Sequence, residues 1–289
     1  MKQAILITAY TQLEFLNEII GFFDEDFDFY IHIDKKTKTE DLSFLDKPNV
    51  KLYSKYRIQW GSEKHLRAIV LLMEEAWKNG NYSYYHLITG SDYPIKPLAE
   101  FKSFFGEDNK NNYMEWYELP RATWVMEGGL ERVKYYWIGN SQFDIRGKVG
   151  KYVYKIVKLQ RKLGVERKFV RLFPKLYGGG GYWSLTSDAV GHVVKTINDN
   201  KLLKYIKHTH CAEEVFLHTL LLNAEQKFPV VNDSIRYSKW EGNARSPKVL
   251  DESDFEEVIV SGCFFARKFS NEASMDLIER IKTTMFCNK

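Results

Sequence analysis

The sequence predicts an α/β fold, with a mostly parallel central sheet flanked by helices, on two observations. Over the first hundred residues, short apolar runs alternate with segments of helical periodicity. No Pro-, Gly- or Ser-rich linker interrupts the 289 residues, so a single domain over 1–289 is expected.

Residues 3–10 read as a buried first strand, 11–23 as a helix, and FDFYIHID as a second strand. NVKLYS supplies a third strand. A helix follows from Gly61 to about Asn79, with Ser62 placed to cap its free N–H groups. YYHLITG is the next strand. Open α/β sheets bind ligands beyond the carboxyl ends of their strands, which puts Tyr10, His32, Asp34 and the GSDYP turn with Asp92 at one rim. From 110 to 175 the chain turns aromatic, basic and irregular, as an insertion shaping a partner's site would be. LYGGGGYWSLTSDA then brings a four-glycine turn, Gly178 to Gly181, into an apolar segment; it requires close backbone approach or positive φ. A helix is expected over 213–225, and EEVIVSGCFFARKF reads as a strand passing into a basic turn.

An apolar content of 44%, with 18 Tyr, 19 Phe and 7 Trp, excludes a disordered chain. Cys211, Cys263 and Cys287 are too few and scattered for a disulfide framework or a zinc knuckle, so a reducing compartment is expected. The opening MKQAILITAY runs into polar TQLE and reads as a strand, not a signal peptide. No apolar span reaches the roughly 18 residues of a membrane helix, which leaves surface attachment open. Formal net charge is +4, yet 145–175 holds Lys or Arg throughout against the single acid Glu166. That block suits anionic lipid or an acidic glycan, or is a solvated helix face; without a recognition motif, no nucleic-acid partner is expected.

The chemistry gathers in AEEVFLHT. Glu213 and Glu214 are neighbours about 100° apart on a helix, so one can enter a cleft while the other meets solvent. Glu214 falls on a stripe with Leu217 and Leu221, where low dielectric would raise its pKa towards that of a general base; a charge at a helix N-terminus is the alternative. Arg245, Arg267 and Lys268 offer groups to neutralise a phosphate, or form a surface cluster. Asp34 can accept donors from a base or ribose. A metal site is not expected: His32 and Asp34 share a strand face without completing one, and His208 and His210 have no third ligand. The DED of 24–26 precedes a strand, and GGGG fits neither phosphate-binding glycine pattern.

The ordered set ILITAY, YIHIDKK, IQWGSEKHLRAIVLLMEEA, YYHLITGSDYPIKP, YGGGGYWSLTSDAV, AEEVFLHTLLLNA, IRYSKW and SGCFFARKF resembles the core-2/I-branching β-1,6-N-acetylglucosaminyltransferase family, which includes peptide O-xylosyltransferases. The resemblance implies a GT-A-like fold and inverting transfer from a UDP-sugar without a divalent metal or other cofactor. It places the general base at Glu214, the diphosphate-binding cations at Arg245 and Lys268, and the nucleotide contact at Asp34 with Tyr10 and His32 beside it. Glu115 matches an acceptor-sugar carboxylate and Arg132 a neighbouring contact; Asp92, Tyr182, Trp183 and Glu213 complete the expected substrate set. UDP-GlcNAc is the leading donor, with UDP-xylose, UDP-galactose and UDP-glucose as alternatives. The acceptor would be a glycan or glycolipid, joined by a β-linkage such as β-1,6. A cytoplasmic, bacterial-type enzyme in peripheral contact with the inner face of an anionic membrane is expected, against the alternative of an inactive glycan-binding protein.

Overall fold

The alternation of strands and helices seen in the sequence builds a three-layered core in a computed structural model, which describes residues 2–38, 41–199, 201–242, 244 and 246–287. Among the described residues twelve strands run in chain order: β1 Gln3–Ala9, β2 Phe27–Ile33, β3 Val50–Tyr53, β4 Tyr84–Thr89, β5 Asp92–Pro94, β6 Asn112–Met114, β7 Tyr117–Glu118, β8 Tyr177–Gly178, β9 Trp183–Thr186, β10 Val230–Val231, β11 Arg236–Ser238 and β12 Phe265–Arg267. Seven form the main sheet in the order β10-β6-β9-β4-β1-β2-β3. Its pairings are parallel except those of β9 with β4 and β6. The expected fold class is therefore the observed one.

β1 is buried along its whole length, as a central parallel strand covered on both faces must be. Its alternate side chains feed two cores. Ile5 and Ile7 pack with Phe29, Ile31 and helices Phe15–Phe22 and Met275–Cys287. Ala4 and Leu6 pack with Tyr30 and with Leu66, Ile69 and Met73 of helix Glu63–Asn79. Ser62 occupies the N-cap position of that helix as expected, but its buried hydroxyl makes no hydrogen bond there. Its backbone instead bridges to His210.

Parallel register brings the strand ends together. Thr8 lies between His32 and Thr89, and the ladder continues past the strands through Asp34 N–H to the Ala9 carbonyl (2.8 Å) and Gly90 N–H to that of Thr8 (3.0 Å). This is the rim anticipated from the sequence.

Two expectations change. EEVIV is helical, within Phe255–Val260, not a strand. Asp251 and Asp254 form a capping box just before it, and Phe255 and Val258 bury one turn apart, so caps and i, i+3 burial override the β-branched composition. Only Phe265–Arg267 is extended. The segment 110–175 also gives β6 to the central sheet, between β9 and β10. Beyond β7 it is mostly irregular, with helix Gly150–Lys162 closing a small core of Tyr135, Trp137, Ile145, Val153 and Val157.

Candidate active site

The ends of β1, β2 and β4 open onto a cleft of about 310 Å³, lined among others by Thr8, Tyr10, Asp34 and Ser91. The turn carrying Glu213 and Glu214 reaches the same cleft, as do Tyr182, Arg267 and Lys268.

The carboxylate pair departs from the expected geometry. Ala212–Glu214 form one 3₁₀ turn between Cys211, in the left-handed region (φ 45°), and Val215, off the helical region (φ −129°, ψ −41°). The α-helix begins only at Phe216. Glu214 therefore shares no helical stripe with Leu217 and Leu221. The turn presents both side chains to the cleft, with Glu213 12% and Glu214 32% exposed.

Their environments then drive them apart. Burial works to raise the Glu213 pKa, but the hydrogen bond and charge of His65, whose Nδ1 lies 3.2 Å from Oε1, outweigh it and hold the carboxyl below its ordinary value. For Glu214, burial raises the pKa and the Glu213 charge adds to it; together they outweigh the ion pair with Arg132, leaving the carboxyl above its ordinary value. The two adjacent carboxylates thus sit in different electrostatic surroundings.

The cleft also carries Lys36, Arg146, Arg267 and Lys268. Arg267 is oriented by its ion pair to Asp92 (3.2 Å) and by stacking on Tyr182, 4.1 Å from the ring centre. Burial, and next the Arg267 charge, lower the Lys268 pKa, which makes this a cation that gains from a bound anion. Arg245, expected to share the diphosphate with it, lies outside the described residues.

The remaining expected contacts divide clearly. Tyr10 is 61% exposed at the cleft. Asp34 faces the cleft, though its Oδ1 accepts the Lys36 (3.0 Å) and Ile58 (3.2 Å) backbone N–H groups and so also ties two loops. His32 does not reach it: the ring is fully buried, its Nε2 accepts the Tyr56 N–H (3.1 Å), and burial lowers its pKa, making it a neutral loop support. Asp92 is likewise buried and takes the Thr89 N–H (2.7 Å) and hydroxyl (3.0 Å), so it orients Arg267 from behind. Trp183 belongs to the core beneath β9. Arg132 is joined to the cleft through Glu214, and Glu115 lies against the glycine turn, its Oε1 bound by the Tyr117 hydroxyl.

His65, Lys36, Trp60 and Arg146 were not anticipated. The signal for the first and third was WGSEKH, an exposed Trp and a glycine opening a helix at the sheet rim. Gly61 there has φ 68°, and a Cβ on it would strike the His210 ring.

Cys211, Glu213 and Glu214 bring ligand atoms within 4.8 Å of one another. They suit a divalent metal poorly. Arg132 already occupies a Glu214 oxygen, which takes one of the three ligand atoms out of reach.

The family described as Core-2/I-Branching enzyme matches residues 4–259. Xylosyltransferase 2 of Rattus norvegicus is 21% identical over 287 residues, covering 89% of this chain and 30% of the relative. Xylosyltransferase 1 of Mus musculus is 20% identical (97% and 30% covered), and the xylosyltransferase of Ciona intestinalis 22% identical (96% and 33% covered). The chain thus spans about a third of the length of these curated relatives. Because the family match runs from β1 through the helix that precedes β12, taking in the rim, the carboxylate turn and β11, the chain belongs to the core-2/I-branching enzyme family.

Proposed function

We propose that this cleft transfers a sugar, GlcNAc first among the candidates, from a UDP-sugar to a hydroxyl of a glycan or glycolipid, with inversion and without a divalent metal. The observation that carries the reading is the convergence of Glu213, Glu214, Arg267 and Lys268 on one cleft at the carboxyl ends of β1, β2 and β4.

Glu214 accepts the proton of the acceptor hydroxyl as its oxygen bonds to the anomeric carbon. The bond from that carbon to the UDP oxygen breaks, and UDP departs with the electron pair. Charge growing on the diphosphate meets Lys268, with Arg245 as its second cation by resemblance; preformed cations of this kind do the work a metal does elsewhere. Nucleophile and leaving group occupy opposite faces, so an α-linked donor yields a β-glycoside. UDP-xylose is the second donor reading, favoured by the similarity to xylosyltransferases.

A panel of UDP-sugars assayed against a glycan library, with product linkage read by NMR, tests this. A β-linked product formed in EDTA is expected. Glu214→Gln should lower kcat about 10²–10⁴-fold while UDP still binds. An α-linked product, or activity lost in EDTA and restored by Mn²⁺, would refute the mechanism.

A further inference from the structure

Helix Gly150–Lys162 has one covered face and one bare one. Val153 and Val157 bury against Trp137 and Ile145. On the other side Tyr152, Ile156, Leu159 and Leu163 recur at i, i+4, i+7 and i+11 and are 56%, 38%, 55% and 70% exposed. Single exposed apolar residues are ordinary, but a continuous stripe of four marks an interaction surface.

The neighbouring stripe says what covers it. Lys151, Lys155, Lys158 and Lys162 repeat with the same spacing, about 100° away around the axis, and none has an ion pair among the described residues. Arg161, on the inward side of the same helix, does pair with Glu127 (3.5 Å). The helix contains no acidic residue. The Lys151 and Lys155 ammonium groups lie 5.0 and 5.8 Å from the Tyr152 ring, at the seam between the two stripes.

A nucleic acid would use the lysines and leave Ile156, Leu159 and Leu163 wet. A second copy of this chain would bring the same four cations against each other. An anionic bilayer satisfies both stripes, taking the apolar residues at the acyl boundary and the ammonium groups among its headgroups. No helix among the described residues is long and apolar enough to cross a membrane, so the contact would be peripheral.

We propose that helix Gly150–Lys162 lies along an anionic membrane surface through Tyr152, Ile156, Leu159 and Leu163, with its lysine row at the headgroups. Arg146, just before the helix, lines the cleft, so docking would hold the cleft beside the bilayer. This deepens the glycolipid-acceptor reading above and rests on it only for its biological purpose.

The full chain is floated with vesicles of phosphatidylcholine alone, or with about one third phosphatidylglycerol, at low and high salt. Binding to the anionic vesicles only, weakened by salt, is expected. Exchange of each lysine for Gln should weaken it about fivefold. The double variant Ile156→Ser, Leu159→Ser should abolish it while circular dichroism and Tm stay unchanged. Wild-type protein that ignores anionic vesicles at low salt, or binds neutral ones equally well, overturns the proposal. So does a salt-resistant dimer that the double variant dissolves. Flotation uses no donor sugar, so failed docking leaves the transfer chemistry standing, and failed transfer leaves docking standing.

Discussion

His65 Nδ1 lies 3.2 Å from Glu213 Oε1, and the other ring nitrogen lies 3.3 Å from the Thr8 hydroxyl at the end of β1. The carboxylate that is not the proposed base is thereby anchored to the sheet, and its charge acts on the one that is. Glu214 must be deprotonated to accept a proton, and its pKa is raised, so kcat/KM should fall on the acid side above the ordinary glutamate range. Glu213→Gln removes a charge that helps raise it. The acid limb should then move to lower pH, whatever the change in maximal rate. The pair titrates together, so the limb reports an apparent value. A limb that does not move would separate Glu214 from its neighbour and reject this coupling.

Lys268 stands to gain from a bound diphosphate, because burial and Arg267 both disfavour its charge. Lys268→Ala should weaken UDP binding by about 1.5–3 kcal/mol, the worth of a charge-assisted hydrogen bond. Calorimetry would read this as a roughly ten- to hundredfold rise in Kd. An unchanged Kd would move the diphosphate elsewhere in the cleft.

The glycine turn separates packing from specificity. A Cβ on Gly179 would collide with the Glu115 backbone carbonyl, which has no room to yield. Gly179→Ala should cost about 1–3 kcal/mol and lower Tm accordingly. A Cβ on Gly180 meets only the tip of the Glu115 side chain, at 3.1 Å. Gly180→Ala should keep its Tm and raise KM for the acceptor if Glu115 contacts that sugar. Differential scanning fluorimetry with acceptor kinetics distinguishes the two; equal melting losses would count against this assignment.

What the sequence made legible follows from what acts locally. β1, β2 and β4 announced themselves because strands buried on both faces read as near-continuous apolar runs, and the rim followed from parallel register. The 3₁₀ turn at Glu213 was not legible: it depends on left-handed Cys211, which no periodicity signals, and on contact with His65, distant in sequence. EEVIV misled because its β-branched residues favour strands while the decisive capping box lies upstream. Asp92 and His32 were expected at the substrate by position along their strands, yet full burial turns each into a support for something else.

Arg167 shows the same limit for charge. Composition counts it in the basic block, but it is almost fully buried, donating to the Thr209 hydroxyl (2.8 Å) and to the carbonyls of Lys207 (2.9 Å), Tyr135 (3.3 Å) and Tyr205. Burial lowers its pKa to about 10, which still leaves it charged at neutral pH. The guanidinium thus pins the segment leading into His210, Cys211 and the carboxylate turn. Arg167→Met would leave several carbonyls unpaired and should cost about 3 kcal/mol, lowering Tm by roughly 5–10 °C. Arg167→Lys should recover little, because an ammonium is a point donor and cannot span acceptors arranged for a planar fork. Thermal melts of the two variants decide the matter: a lysine that restored the wild-type Tm would mean that charge alone, and not this hydrogen-bond geometry, holds the segment in place.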